Sequence, residues 1–152
     1  MLIDGCAEPS VSPSAPSTAS SRAANLAGNY VLTVGIDAHC SQVATQVWVY
    51  QAALADSGGY VSVNVIGGGY TAATPVGQMY TFGDSTARFI WNFGSDDFDP
   101  SIAATGLSLY GSSDTVIRNG TMSGTIVGSA STPDDHRGCY GSHPFSLIST
   151  GN

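Results

Sequence analysis

Apolar and polar residues alternate along this chain in short runs. From Gly28 to Cys40 (GNYVLTVGIDAHC), Tyr30, Leu32, Val34 and Ile36 fall on one side and Asn29, Thr33, Gly35 and Asp37 on the other, with Val31 the single break. A period of two marks a strand with one buried face. Gln46 to Leu54 sets Trp48, Tyr50, Ala52 and Leu54 against Val47, Val49, Gln51 and Ala53, and Ser57-Gly58-Gly59 reads as the turn after it. Tyr60 to Ile66 alternates again, Val61, Val63 and Val65 against Ser62 and Asn64, and ends in Gly67-Gly68-Gly69. That glycine run reads as a bend or bulge, since neither the helix nor the lysine of a phosphate loop accompanies it.

Met79 to Phe82, a turn at Gly83-Asp84 and Arg88 to Phe93 predict a hairpin whose second arm directs Phe89, Trp91 and Phe93 one way. Leu107 to Tyr110, Thr115 to Ile117, Thr121 to Val127 and Phe145 to Ile148 predict further short strands, with Asn119-Gly120 the strongest hairpin-turn signal. No segment carries a helical period. About eight short strands at intervals of roughly 8–12 residues predict an all-β, antiparallel barrel or sandwich. An up-and-down meander closing on itself over residues 26–152 fits best, because a bridge between Cys40 and Cys139 would fasten its first strand to its last.

Residues 1–25 stand apart. Ala7 to Asn25 is Pro, Ser and Ala with little to bury, the composition of a disordered tether. Ahead of it, Ile3-Asp4-Gly5-Cys6 resembles the end of a bacterial lipoprotein signal, although Asp4 departs from the small uncharged residue normal there. Cys6 is therefore either a lipidation site, which requires a start upstream of Met1, or an unpaired cysteine in a flexible arm.

Composition narrows the partners. Charged residues are 10% of the chain, against a usual share of about 25%, so the surface must be built from Ser, Thr, Asn, Gln and Gly. Four Lys+Arg against 11 Asp+Glu leave a net charge of −7 without a basic cluster. Nucleic acid and anionic membrane surfaces, which need cationic contacts, are disfavoured partners. No run of about 18 apolar residues offers a membrane-spanning helix, so the expected membrane contact is a lipid on Cys6.

Candidate chemistry centres on the cysteines. A Cys40–Cys139 disulfide would close a loop of about a hundred residues, for which chain entropy predicts on the order of 4–5 kcal/mol of stabilisation. The competing reading joins His39, Cys40, His136, Cys139 and His143 as N and S donors for tetrahedral zinc; the bridge is preferred because this spacing matches no standard zinc module. Asp96, Asp97 and Asp99 lack the pattern of a calcium loop and read as a solvated acidic loop. Asn119-Gly120-Thr121 has the form of a glycosylation sequon, which the turn already explains. Without a nucleophile motif or a fixed base, neither an enzyme nor a bound cofactor is expected.

The segments GNYVLTVGIDAHC, VWVYQAAL, YVSVNVIGGGY, GTMSGTIVG and CYGSHPFSL together resemble a group of secreted bacterial domains to which no activity is attached. These open with a Gly-x-Tyr/Trp strand leading to Cys and close with Cys, a short gap, Ser-His and an apolar strand. The resemblance covers most of Gly28 to Thr150 and implies a lipocalin-like barrel outside the cytoplasm. Gln46 and Trp48 stand where basic residues are expected in the second strand.

The function expected is a non-enzymatic, extracytoplasmic domain binding a small apolar ligand, with Trp48, Tyr50, Phe89, Trp91 and Phe93 lining the pocket. The alternatives are a carbohydrate-binding or adhesion module using outward aromatics, and a purely structural domain whose rings fill the barrel. Oligomeric state is not legible.

Overall fold

The computed structural model describes residues 25–43, 45–57, 60–68, 75–81, 85–93, 107–132 and 135–151. Cys6, the tether as far as residue 24, the turns expected at Gly58-Gly59 and Gly83-Asp84, and the Asp96–Asp99 segment lie outside the described residues. Eight strands follow in order: β1 (Gly28–Gly35), β2 (Val47–Asp56), β3 (Val61–Gly67), β4 (Gly77–Thr81), β5 (Thr86–Phe93), β6 (Ser108–Arg118), β7 (Thr121–Thr132) and β8 (Asp135–Gly151). Each pairs antiparallel with the next, and β1 pairs with β8, so the sheet is a closed up-and-down barrel. Among the described residues there is no helix.

The alternating faces resolve as inside and outside. Tyr30, Leu32 and Val34 of β1, Tyr50, Ala52 and Leu54 of β2, and Val61, Val63 and Val65 of β3 are buried. Phe89, Trp91 and Phe93 of β5 have no accessible surface at all. Burying each Val, Leu or Phe among them contributes about 1.5–3 kcal/mol. The interior is held by rings in contact: Phe89–Trp91 centroids lie 5.0 Å apart, Trp91–Phe145 4.9 Å, and Tyr50–Phe93 4.9 Å.

Most strand boundaries fall within two residues of the sequence pattern, and four strands depart further. β1 stops at Gly35 although the alternation runs on to Cys40; the chain turns at Asp37, whose carbonyl accepts from Cys40 N at 2.9 Å. Two expected strands fuse into the single β6, because the polar stretch between them points Ser113 inward to accept a hydrogen bond from Trp91 Nε1 at 2.9 Å. β7 runs five residues past Val127 to Thr132. β8 has 17 residues instead of the four from Phe145 to Ile148, so Cys139 sits within the last strand. Pro144 is tolerated in β8 just beyond the last β1 partner pair, Val34↔Phe145.

Local turn chemistry sets the register. Asn119 and Gly120 have φ of 49° and 73°, the left-handed pair of a two-residue type I′ hairpin, and the β6–β7 ladder then runs unbroken from Arg118↔Thr121 to Ser108↔Ser131. At the Gly67-Gly68 bend, Gln51 pairs with Gly67 and Ala52 with Val65, a bulge, with Gly68 at φ 96°. Gly111, Gly128 and Gly141 form one lateral row across β6, β7 and β8. A Cβ built on Gly128 would collide with the Tyr110 carbonyl oxygen, so the tight curl of the barrel wall there requires glycine.

Alternate connections gather at opposite ends. The β2–β3, β4–β5 and β6–β7 connections leave at the end that also carries Leu26 and Gly151. The β1–β2, β3–β4, β5–β6 and β7–β8 connections leave at the other end, where the cysteines meet.

Candidate functional site

The β1–β2 connection lies across β8. Ile36 N donates to Gln46 O at 2.8 Å and Val43 N to Cys40 O at 3.1 Å, which closes the loop on itself. Cys40 and Cys139 are joined by a disulfide with Cα atoms 5.7 Å apart, across 99 residues of sequence. This is the expected pairing, although it ties β8 to the loop after β1 and not to β1 itself.

Around the bridge stands a hydrogen-bonded network organised by Asp37. Its Oδ1 accepts from His39 N at 3.2 Å, an Asx turn, and lies 2.7 Å from His39 Nδ1. Its Oδ2 accepts from Ser142 N at 2.8 Å. The Ser142 and His39 amides and the His39 ring hold the Asp37 carboxyl down to about 2. His39 Nε2 donates to Tyr140 O at 3.0 Å. Both ring nitrogens thus donate, which favours the imidazolium: the Asp37 hydrogen bond first, and then the Tyr140 carbonyl, push its pKa up.

His143 has the opposite environment. It is fully buried, its Nδ1 accepts from Asp37 N at 3.0 Å, and its Nε2 lies 3.3 Å from Gly128 O. One nitrogen accepts and one donates, so the ring is neutral, and burial pushes its pKa down. Gly141 makes room for the loop: a Cβ there would stand 2.9 Å from Asp37 Cβ and 3.0 Å from His39 Cε1.

Of the five expected N and S donors, the fold brings His39, Cys40 and Cys139 together, their ligand atoms all within 4.8 Å of one another. His143 is turned to Asp37 N and Gly128 O, and the His136 side chain lies outside the described residues. Asp37 was legible only as a polar-face residue. The signal for its role was the Asp-x-His spacing next to a cysteine.

Trp48 is half-buried at the mouth of the loop-rich end, with Nε1 donating to Thr45 O at 3.1 Å. Its ring stacks on Tyr50, centroids 6.5 Å apart with an interplanar angle of 7°. Tyr50, Phe89, Trp91 and Phe93 lie deeper, packed against one another and against Phe145.

Two exposed tyrosines mark the outer wall near the same end. Tyr110 on β6 and Tyr140 on β8 both pair with Ser129 of β7, and they are 64% and 70% exposed. They stand on one face two strand spacings apart, roughly 10 Å. Further along that wall a groove of about 380 Å³ is lined by Arg88, Ser112, Asp114, Val116, Ser123, Gly124, Thr125 and Val127. Arg88 Nε donates to Asp114 Oδ1 at 3.0 Å along its lining, both side chains well exposed. The pattern that marks Tyr110 and Tyr140 is aromatic residues at the outward phase of Ser- and Gly-rich strands. Comparison of the chain with known protein families, with curated proteins and with solved structures finds no match.

Proposed function

We propose that this chain is a non-enzymatic, extracytoplasmic binding module that takes a neutral glycan on its outer β5–β8 wall. The observation that carries this reading is the pair of outward tyrosines flanking Ser129. An aromatic face meets the weakly positive C–H face of a pyranose through its negative quadrupole, while the phenol edge stays hydrated. Rings roughly 10 Å apart would receive two sugars of one chain. The groove beside them supplies what sugar hydroxyls need, from Ser112, Ser123, Thr125 and the Arg88–Asp114 pair, which together donate and accept. The paired charges add no net field, which favours an uncharged ligand.

The bridge supports an oxidising compartment, where such bonds persist. Within that compartment the chain is read as secreted, as the group it resembles implies, or as held at a bacterial cell envelope by lipid on Cys6, a reading that rests on Gly5-Cys6 and the tether behind it. A signal peptide encoded in frame ahead of Met1 is the direct check.

A small apolar ligand remains the second reading, favoured by Trp48, which is half-buried at the mouth. Its place would be that mouth, since the rings of Phe89, Trp91 and Phe93 leave no space beside them. Screening on an array of neutral oligosaccharides, followed by calorimetry on the retained sugar, separates the two. Tyr110→Ala and Tyr140→Ala should each weaken glycan binding by about tenfold, as loss of a ring anchor worth more than 1 kcal/mol does. No retained glycan, with an apolar probe bound in a manner lost in Trp48→Ala, would transfer the function to the mouth.

A further inference from the structure

The corner around the disulfide carries more than a covalent tie. We infer that reduction of the Cys40–Cys139 bridge opens a binding site for a thiophilic divalent cation of the zinc class, held by Cys40 Sγ, Cys139 Sγ and His39 Nε2. The inference is independent of what the outer wall binds.

The donor set is suited to such an ion: two thiolates and one imidazole, with a fourth position left to water. The spacing is close to what the ion needs. Zinc bonds of about 2.3 Å to sulfur and 2.0–2.1 Å to nitrogen, at tetrahedral angles, set a nitrogen–sulfur separation of roughly 3.6 Å. His39 Nε2 already lies 3.9 Å from Cys40 Sγ. Once the sulfurs are no longer bonded they must part to roughly 3.8 Å for the same ion, a side-chain rotation between Cα atoms 5.7 Å apart.

The supporting shell is already built. A ligating histidine usually gives its other ring N–H to a carboxylate, which fixes the ring and strengthens the donor nitrogen. Here Asp37 Oδ1 sits 2.7 Å from His39 Nδ1, leaving Nε2 as the nitrogen on the sulfur side. Asp37 is itself held by Ser142 N and, through its own amide, by buried His143. The His39 side chain is 62% exposed beside the buried Cys40 and Cys139, so the histidine edge of the site faces solvent. The one bond given up, Nε2 to Tyr140 O, belongs to an exposed residue whose carbonyl water can serve.

The chemistry balances. A dithiol attacks the bridge, is oxidised to its own disulfide and leaves Cys40 and Cys139 as two thiols. The cation then displaces two thiol protons, and a third from Nε2 where His39 enters as the imidazolium. Exchange with a small-molecule disulfide, which is reduced to its own thiolates, restores the Cys40–Cys139 bridge and expels the ion.

The test uses the whole chain, reduced with a dithiol, desalted without oxygen and titrated with Co²⁺ alone. The expected result is one Co²⁺ per chain with thiolate charge-transfer and tetrahedral ligand-field bands, absent from the oxidised chain. Zn²⁺ should displace it and raise the melting temperature of the reduced barrel, as a ligand of the folded state must. His39→Ala should weaken Co²⁺ binding at least tenfold while the circular-dichroism spectrum stays that of the barrel. A reduced chain that takes no Co²⁺, or takes it equally well as His39→Ala, overturns the site. So does a reduced chain that unfolds and is not refolded by Zn²⁺.

Discussion

Trp91 Nε1 donates to Ser113 Oγ at 2.9 Å, both groups buried in the barrel interior. Ser113 Oγ lies 3.4 Å from Thr115 Oγ1, so a short polar seam runs through a mainly apolar core. Ser113→Ala would strand the indole N–H without water to replace its acceptor. The expected loss is about 1–3 kcal/mol, read as a lower urea midpoint, with Thr115→Ala costing less because it leaves the indole satisfied.

The bridge should dominate single-feature stability. Cys40→Ser with Cys139→Ser should lower the free energy of unfolding by roughly 2–5 kcal/mol. Far-ultraviolet circular dichroism should not change, because the inward faces of β1, β2, β3 and β5 still specify the barrel. Loss of the strand spectrum in the double variant would mean that the clasp and not the core directs folding.

His143 should make the protein acid-sensitive. Its folded pKa lies below the ordinary histidine value, chiefly through burial. The unfolded chain, titrating near pH 6.5, therefore binds the proton that the native ring refuses. Its contribution is complete above that pH and declines as pH falls, since stability rises with pH wherever the unfolded state holds more protons. His39, with a raised pKa, acts with the opposite sign, its share being lost as pH rises through its folded value. Unfolding midpoints of the wild type and His143→Gln, compared from about pH 6.5 downward, should converge as acid removes the wild-type advantage.

Gly128→Ala should be the most damaging conservative change on the wall. The added methyl meets the Tyr110 carbonyl oxygen and Gly111 Cα, both backbone, so neither can swing away. We expect failure to accumulate as folded protein, or a loss of the several kcal/mol typical of overpacking, about 1–3 or more. Gly138→Ala meets mainly the Ser129 hydroxyl, which can rotate, and should be milder.

Much of the fold was legible because simple alternation is how a one-sided strand is written. Tyr30-Leu32-Val34, Val61-Val63-Val65 and Phe89-Trp91-Phe93 carry that signal, and all point inward. It failed where inward positions are not apolar. Ser113 serves a buried indole, Gly111, Gly128 and Gly141 serve curvature, and His143 serves the Asp37 amide, so β6 read as two strands and the first half of β8 as loop. It also over-extended β1, since Ile36 is buried at 7% from a loop as well as it would be from a strand. The cysteine pair needed no geometry to find, whereas the Asp37–His39–Ser142 network joins residues more than a hundred positions apart and needed the closed sheet to assemble.

An even number of strands returns a chain to the end from which it set out. Leu26 enters where its amide meets Asp56 Oδ2 at 3.0 Å and its carbonyl accepts from the Tyr30 hydroxyl, while Gly151 pairs beside Asn29. The His39 corner lies beyond the far end of β1, roughly 27 Å away at about 3.4 Å per residue. Any support to which either end of the barrel chain is fastened thus faces the pole of short turns. Held at Leu26 or at Gly151, the barrel turns the His39 corner away from the support, an orientation written into strand parity before any ligand is considered.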